Sequence, residues 1–291
     1  MSAPASAWAW LRRNALLIYA GLAVAYMLIP IVVIAVFSFG ATPKDKLTFG
    51  LNDGFTLEYW RTMFSKPELN EALFTSLRLA LFATLISTAI GTAMAIALVR
   101  HRFHGKRLAN LLIVIPMATP EVVIGASMLS MFIYYSFALG FTTLLIAHVM
   151  FSISFVVVVV RSRLIGFDRN IEEAAADLGA GPLTTFRTVT LPLLAPGVIA
   201  AALLAFALSI DDFVISNFNS GTTVTFPLYV YGVSLRGIPV QVNALATLLF
   251  LVAVIAVGLV LFQQRRAERM AAVRPEQEEA AMPLPGVAAA Q

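Results

Sequence analysis

The sequence has 291 residues, no cysteine, only 3 histidines and a charged fraction of 12%. The missing cysteine excludes a disulfide framework, thiolate metal sites and a thiol nucleophile. The three scattered histidines, with no H-E-x-x-H run, offer no metal centre and no base for a membrane-embedded enzyme, which needs its ligands clustered at one depth. Charge at roughly half the ~25% of a soluble domain leaves too little polar surface to cover a water-soluble globule. No G-x-x-x-x-G-K-[ST] phosphate loop occurs, so the chain carries no ATPase of that type. No catalytic residue and no metal ligand is assigned.

What the chain has in quantity is apolar. Hydrophobic residues make up 59% and the mean hydropathy is +0.86. A helix needs ~20 apolar residues to cross the hydrocarbon of a bilayer. Six runs are long enough: 15–39, 73–99, 111–139, 141–160, 197–216 and 242–262. They predict an all-α integral membrane protein with six transmembrane helices. The first run exceeds the ~7–15 residues of a secretory core, and Phe39-Gly40 is a poor cleavage site, so it reads as an anchor.

A net charge of +4 and a pI near 9.6 invite a nucleic-acid reading, but the placement of the charges argues otherwise. Arg12 and Arg13 precede the first run. Arg100, Arg102, Lys106 and Arg107 lie between the second and third, and Arg161, Arg163, Arg169 and Arg187 between the fourth and fifth. Arg265, Arg266, Arg269 and Arg274 follow the sixth. Lys44, Lys46, Arg61, Lys66, Arg78 and Arg236 fall on the other side. By the positive-inside rule both termini are cytoplasmic, and the basic excess sets orientation rather than binding nucleic acid. The expected layout is a cytoplasmic N-terminus (1–14), a six-span domain (15–262) and a cytoplasmic, disordered tail (263–291). Outside lie the segment 40–72, with turn signals at Thr42-Pro43 and Asn52-Asp53 and a short interfacial helix around Phe55–Phe64, and the loop 217–241 with Gly221 and Pro227.

The longest cytoplasmic connection, 161–196, reads as a helix–turn–helix. Asp168 or Asn170 caps a first helix whose opening turn holds Glu172 and Glu173, where the helix dipole favours anions. Ala174, Ala175, Ala176 and Leu178 continue it, and Gly179, Gly181 and Pro182 stop it. A second short helix, 183–189, then leads through Leu191-Pro192 and Pro196 into the fifth span. Its small-residue face suits close docking of another protein, although periodicity alone fits a bare surface hairpin equally well.

Acids at membrane depth are the other signal. Asp211 and Asp212 stand in the outer half of the fifth run, where a carboxylate needs water, a partner or a task. Either they line a pathway for a cation, or they cap the outer helix end or pair with Arg78 or Arg236. Adjacent helical residues point ~100° apart, so one of the two facing a pathway leaves the other off it. Glu121, beside Pro116 and Pro120, marks a kinked or broken third span and serves either the pathway or a buried hydrogen bond. His148 reads as an interhelical hydrogen-bonding group in preference to a proton relay. Tyr134 and Tyr135 fit an interfacial aromatic belt, or a cation–π contact with substrate.

The spacing Glu173-Ala174-Ala175, three residues, Gly179, nine residues, Val189-x-Leu191-Pro192 resembles the EAA motif of ABC importer permeases, E-A-A-x3-G-x9-I-x-L-P, with Val189 in place of isoleucine. The wider resemblance is to the spermidine/putrescine permeases. It is carried by RHRFHGK (100–106), RSRLIGFD (161–168), EAAADLG (173–179), LSIDDFV (208–214) and VNALAT (242–247). It implies a type I ABC importer permease fold whose cytoplasmic coupling helix docks, through Glu173, Ala174, Ala175, Gly179, Val189, Leu191 and Pro192, into an ATP-binding subunit. It implies four kinds of partner: a second homologous permease, two ATP-binding subunits, an extracytoplasmic solute-binding protein and the lipid bilayer. ATP and Mg are then bound by the partner ATPase and no cofactor by this chain, which sits as a multi-pass protein in a bacterial cytoplasmic membrane. On this reading the substrate is a polyamine and Asp211, Asp212, Glu121 and Tyr134 are candidate pathway residues. The alternatives are another solute such as ferric iron on the same scaffold, or an ion-coupled carrier.

Overall fold

The computed structural model describes residues 7–40, 54–168, 170–255, 258–259 and 262. Thr42, Pro43, Lys44, Lys46, Asn52, Asp53, Arg169, the basic cluster from Arg265 to Arg274 and the tail lie outside the described residues. The chain divides into two compact units, Phe64–Ile238 and a second formed by Met1–Met63 with Pro239–Gln291. Among the described residues every regular element is helical.

In the second unit, α1 (Ala7–Phe37) carries an apolar stretch from Arg13 to Phe37, 25 residues long, with none of its residues buried. The expected interfacial helix is reduced to α2 (Glu58–Arg61), with a 3-10 turn at Met63–Ser65 where the chain passes into the other unit. Phe39 stacks on Trp60 at 5.2 Å, and the indole N–H donates to Ser38 Oγ at 3.3 Å.

The first unit begins with α3 (Pro67–Arg100). Pro67 opens the helix with its φ already set, Glu68 lies in the first turn and Arg100 in the last, each matching the sign of the helix dipole. Its 34 residues rise about 51 Å, against ~30 Å for a bilayer core. Then come α4 (Lys106–Ala118), α5 (Glu121–Tyr134) and α6 (Phe141–Ile165). Pro116 stays inside α4, whereas the chain turns by 112° between α4 and α5 at Thr119-Pro120. The third span, 111–139, expected to be kinked or broken at its prolines, is thus two separate helices. Neither, at about 20 Å, crosses the bilayer core alone.

Two arginines fix the direction of the helices. The Arg78 guanidinium lies 5.5 Å from the Phe141 ring and that of Arg100 lies 5.4 Å from the Phe167 ring. Starts meet starts and ends meet ends, so α3 and α6 run parallel. The chain between them must return from one end of the bundle to the other, which makes α4 and α5 one broken traverse and not a re-entrant loop.

After α6 come the hairpin helices α7 (Asn170–Asp177) and α8 (Pro182–Thr185), a π-helical turn at Phe186–Thr190, and α9 (Leu191–Ile210). The expected separate helix 183–189 is absent as such, because the chain is helical without a break from Pro182 to Ile210. The reason is the π turn. Leu191 N–H bonds to Phe186 C=O, five residues back, and this widened turn makes room for Pro192, whose ring would crowd the carbonyl four residues earlier in a regular helix. The fifth span ends at Ile210 instead of Ser216. The expected loop 217–241 holds α10 (Val214–Asn219), which reaches into it, and α11 (Phe226–Ser234), which Pro227 starts rather than breaks.

The bundle core has two apolar layers. Ala95, Leu98, Val157, Val160, Leu194 and Ala201 join α3, α6 and α9 at one end, and Ile124, Met128, Phe132, Ala147, Phe151 and Ile215 join α5, α6 and α10 towards the other. At Gly91 the backbones of α3 and α6 come so close that a Cβ would stand 2.6 Å from Val156 Cγ1. Among the described residues a further apolar helix, α12, covers Val240–Ile255. The expected sixth span, 242–262, is only partly within the described residues.

Candidate functional site: an exposed hairpin and a carboxylate cluster

The hairpin between α6 and α9 is capped at both ends of α7. Asp168 Oδ1 accepts the Asn170 N–H at 3.0 Å, so Asp168 serves the N-terminus. At the other end Gly179 adopts φ +85°, its N–H bonds to Ala176 C=O at 2.9 Å, and the Ala180 N–H bonds to Ala175 C=O at 3.0 Å. That pair of bonds is a Schellman motif, which places glycine where a side chain would strain the backbone. Glu173, Ala174 and Gly179 are exposed on α7 and its cap, and Ala175 is half-buried. Val189 lies in the π turn, with Leu191 and Pro192 exposed directly after it. All seven EAA-type positions therefore lie on one hairpin and its root.

Glu172 and Arg100 form a pair that the sequence does not announce. Glu172 Oε1 accepts from Arg100 Nη2 at 3.0 Å and from the Thr190 hydroxyl at 2.8 Å. By sequence Glu172 is an acid in a first turn; its partners are 72 and 18 positions away, beyond any local pattern.

The second site is the break between α9 and α10. Asp212 is buried, and its two carboxylate oxygens accept the backbone N–H groups of Ile215 at 3.2 Å and Ser216 at 2.8 Å. His148, buried on α6, bridges the break through Ser209 Oγ at 2.8 Å and Ser216 Oγ at 3.0 Å, with Nε2 3.5 Å from Asp212. It is the interhelical hydrogen-bonding group that the sequence suggested. Asp212 caps the start of α10 and not the outer end of the fifth span, where the sequence placed a cap, and among the described residues it pairs with neither Arg78 nor Arg236. Asp211, which ends α9, is exposed.

Glu121, exposed at the first position of α5, lies near enough to Asp211 and Asp212 to feel both charges. This proximity follows from α5 packing on α10, where Asn219 Nδ2 donates to Gly125 C=O at 3.2 Å. Three of the four candidate pathway residues thus converge. Tyr134, exposed at the far end of α5, stands about 20 Å along the helix from Glu121 and stacks edge-on with Tyr135. No group of three or more histidine, aspartate or glutamate side chains suited to a metal occurs among the described residues. A groove of about 610 Å³ between α3 and α9, lined by Thr84, Thr88, Thr92, Phe186 and Val198, contains none of the acids.

This arrangement of long apolar helices, one broken traverse and an exposed hairpin is that of the membrane component of an ABC transporter. The crystal structure of a bacterial ABC transporter involved in the import of the acidic polysaccharide alginate matches it with a TM-score of 0.64 at 17% identity, over 90% of this chain and 99% of that one. The chain belongs to the binding-protein-dependent transport system inner membrane component family, whose profile matches residues 87–269. It is 38% identical to the spermidine/putrescine transport system permease protein PotC of Haemophilus influenzae, over 82% of this chain and 91% of that one. It is 36% identical to the putrescine transport system permease protein PotI of Escherichia coli, over 77% and 81%. These relatives favour the importer permease over an ion-coupled carrier or a membrane-embedded enzyme.

Proposed function

We propose that this chain is a permease subunit of an ATP-driven importer and forms, with a second homologous permease, the path by which polyamines enter a bacterial cell. The observation that carries it is the doubly capped EAA hairpin, in a chain 38% identical to a spermidine/putrescine permease. In this reading α12 continues into a sixth span, both termini are cytoplasmic, and the hairpin docks on an ATP-binding subunit that binds ATP and Mg. Closure of two such subunits draws the hairpins of the two permeases together and turns the path outward. An external solute-binding protein then releases its ligand into it. Hydrolysis reverses the movement.

The acids suit such a cargo. A polyamine carries ammonium groups whose desolvation is offset by nearby carboxylates. Asp211 and Glu121 are the exposed pair and form the cation-facing part of the path. Asp212 holds the helix break that presents Asp211. Tyr134, remote from both, belongs to the interfacial belt.

The test is uptake of labelled spermidine and putrescine by cells lacking the endogenous system. Cells given this chain with its partner subunits should take up label, and Glu173→Lys should abolish uptake while membrane insertion persists. Uptake that continues without the ATPase subunit overturns the proposal.

A further inference from the structure

The contacts of Glu172 join three elements at one atom. Its Oε1 receives Arg100 from the last turn of α3 and Thr190 from the root of α9, while Glu172 itself belongs to α7. The Arg100 guanidinium also lies over the Phe167 ring, on the strand of chain that links α6 to the hairpin. Elsewhere the hairpin is open: Ile171, Leu178 and Leu183 are all exposed.

The side chains of Arg100 and Glu172 are 15% and 19% exposed, so the pair is sheltered enough for its geometry to matter, unlike a surface ion pair. Shelter also makes a half-broken pair expensive, since the remaining charge is left without its partner. The junction borders a cavity of about 340 Å³ lined by Arg100, Glu172, Ala176, Pro182, Thr185 and Thr190 among others. Two buried polar atoms there, Arg100 Nε and Thr185 Oγ1, have no hydrogen-bond partner. Unpaired buried polar atoms beside open space are what a joint needs if it is to exchange partners when its parts shift.

We propose that Arg100, Glu172 and Thr190 form a transmission joint: the hairpin's movement is passed through the Glu172 carboxylate into α3 and α9, and Arg100 is the positioning residue that makes α3 follow. The EAA residues face the ATPase; Glu172 faces the bundle. The two neighbouring glutamates divide the work, one outward and one inward. The ends of α3 and α9 are packed in a common apolar layer with α6, so a push delivered at Arg100 and Thr190 moves all three helices together.

This inference rests on the hairpin being the ATPase-docking element, and the experiment separates the two. The assembled transporter, with its ATPase subunits, is reconstituted in liposomes with its binding protein, and spermidine imported per ATP hydrolysed is measured. Arg100→Gln and Glu172→Gln should still hold the ATPase subunit through purification and hydrolyse ATP, but import per ATP should fall at least tenfold. Thr190→Val should lower it several-fold. Arg100→Lys, which keeps a charge in reach, and the exchange Arg100→Glu with Glu172→Arg should recover most of the ratio. Wild-type import per ATP in both glutamine variants overturns the joint. So does loss of the ATPase subunit from Arg100→Gln and Arg100→Lys alike, because the residues then only hold the hairpin in place. Glu173→Lys transporting normally would instead overturn the docking reading.

Discussion

Asp211 and Asp212 are identical in chemistry and adjacent in sequence, yet they do different things. Asp212 spends both oxygens on the N–H groups of Ile215 and Ser216 beside His148; Asp211 remains open at the end of α9. Asp212→Ala should therefore lower the melting temperature of the detergent-purified protein, corresponding to about 1–3 kcal/mol for each of two buried donors left without an acceptor. Asp211→Asn should leave melting unchanged and reduce spermidine uptake several-fold. A melting loss for Asp211→Asn as large as that for Asp212→Ala would refute this division. The sequence shows a pair of acids and the angle between them, but not which one turns inward. That choice depends on the helix stopping at Ile210, and the stop is held by His148, some sixty positions away on another helix.

Among the elements, the hairpin is the part most nearly written in the sequence. Its caps are local: Asp168 two residues ahead of the Asn170 N–H that it accepts, acids in the first turn, glycine at the left-handed position. Nothing stands within 4 Å of where a Cβ on Gly179 would lie, so substitutions there report backbone strain alone. Gly179→Val should be strained by more than the ~1–2 kcal/mol of an ordinary left-handed residue and should lose the co-purifying ATPase subunit, while Gly179→Asn, which tolerates that conformation, should keep it. Equal retention by both would show that the cap geometry is dispensable. What could not be read locally is the continuity of Pro182–Ile210. Pro192 and Pro196 look like stops, and the five-residue hydrogen bond ahead of Pro192 shows how the helix passes the first of them. The reverse holds at Pro116 and Pro120. Both signal a bend, but the first is absorbed within α4 and the second carries the whole 112°.

At the scale of the whole molecule, the complete lack of cysteine makes topology directly measurable. A single cysteine at His104, between α3 and α4, should react with a membrane-impermeant maleimide only after the membrane is opened. One at Thr222, between α10 and α11, should react in intact spheroplasts. The same side for both positions would contradict the parallel course of α3 and α6 and the broken traverse between them. Hydropathy could count candidate runs but could not show that two helices at 112° make one crossing; the ring contacts of Arg78 and Arg100 do. Those two arginines stand about 33 Å apart along α3, close to the ~30 Å of a bilayer's hydrocarbon. The helix is thus a gauge of membrane thickness with a fixed stop at each end. Longer acyl chains would draw Arg100 towards hydrocarbon and shorter ones would strand apolar turns in water, and in both cases the mismatch bears on the carboxylate that Arg100 grips. Lipid composition thereby enters the energetics of the transport cycle.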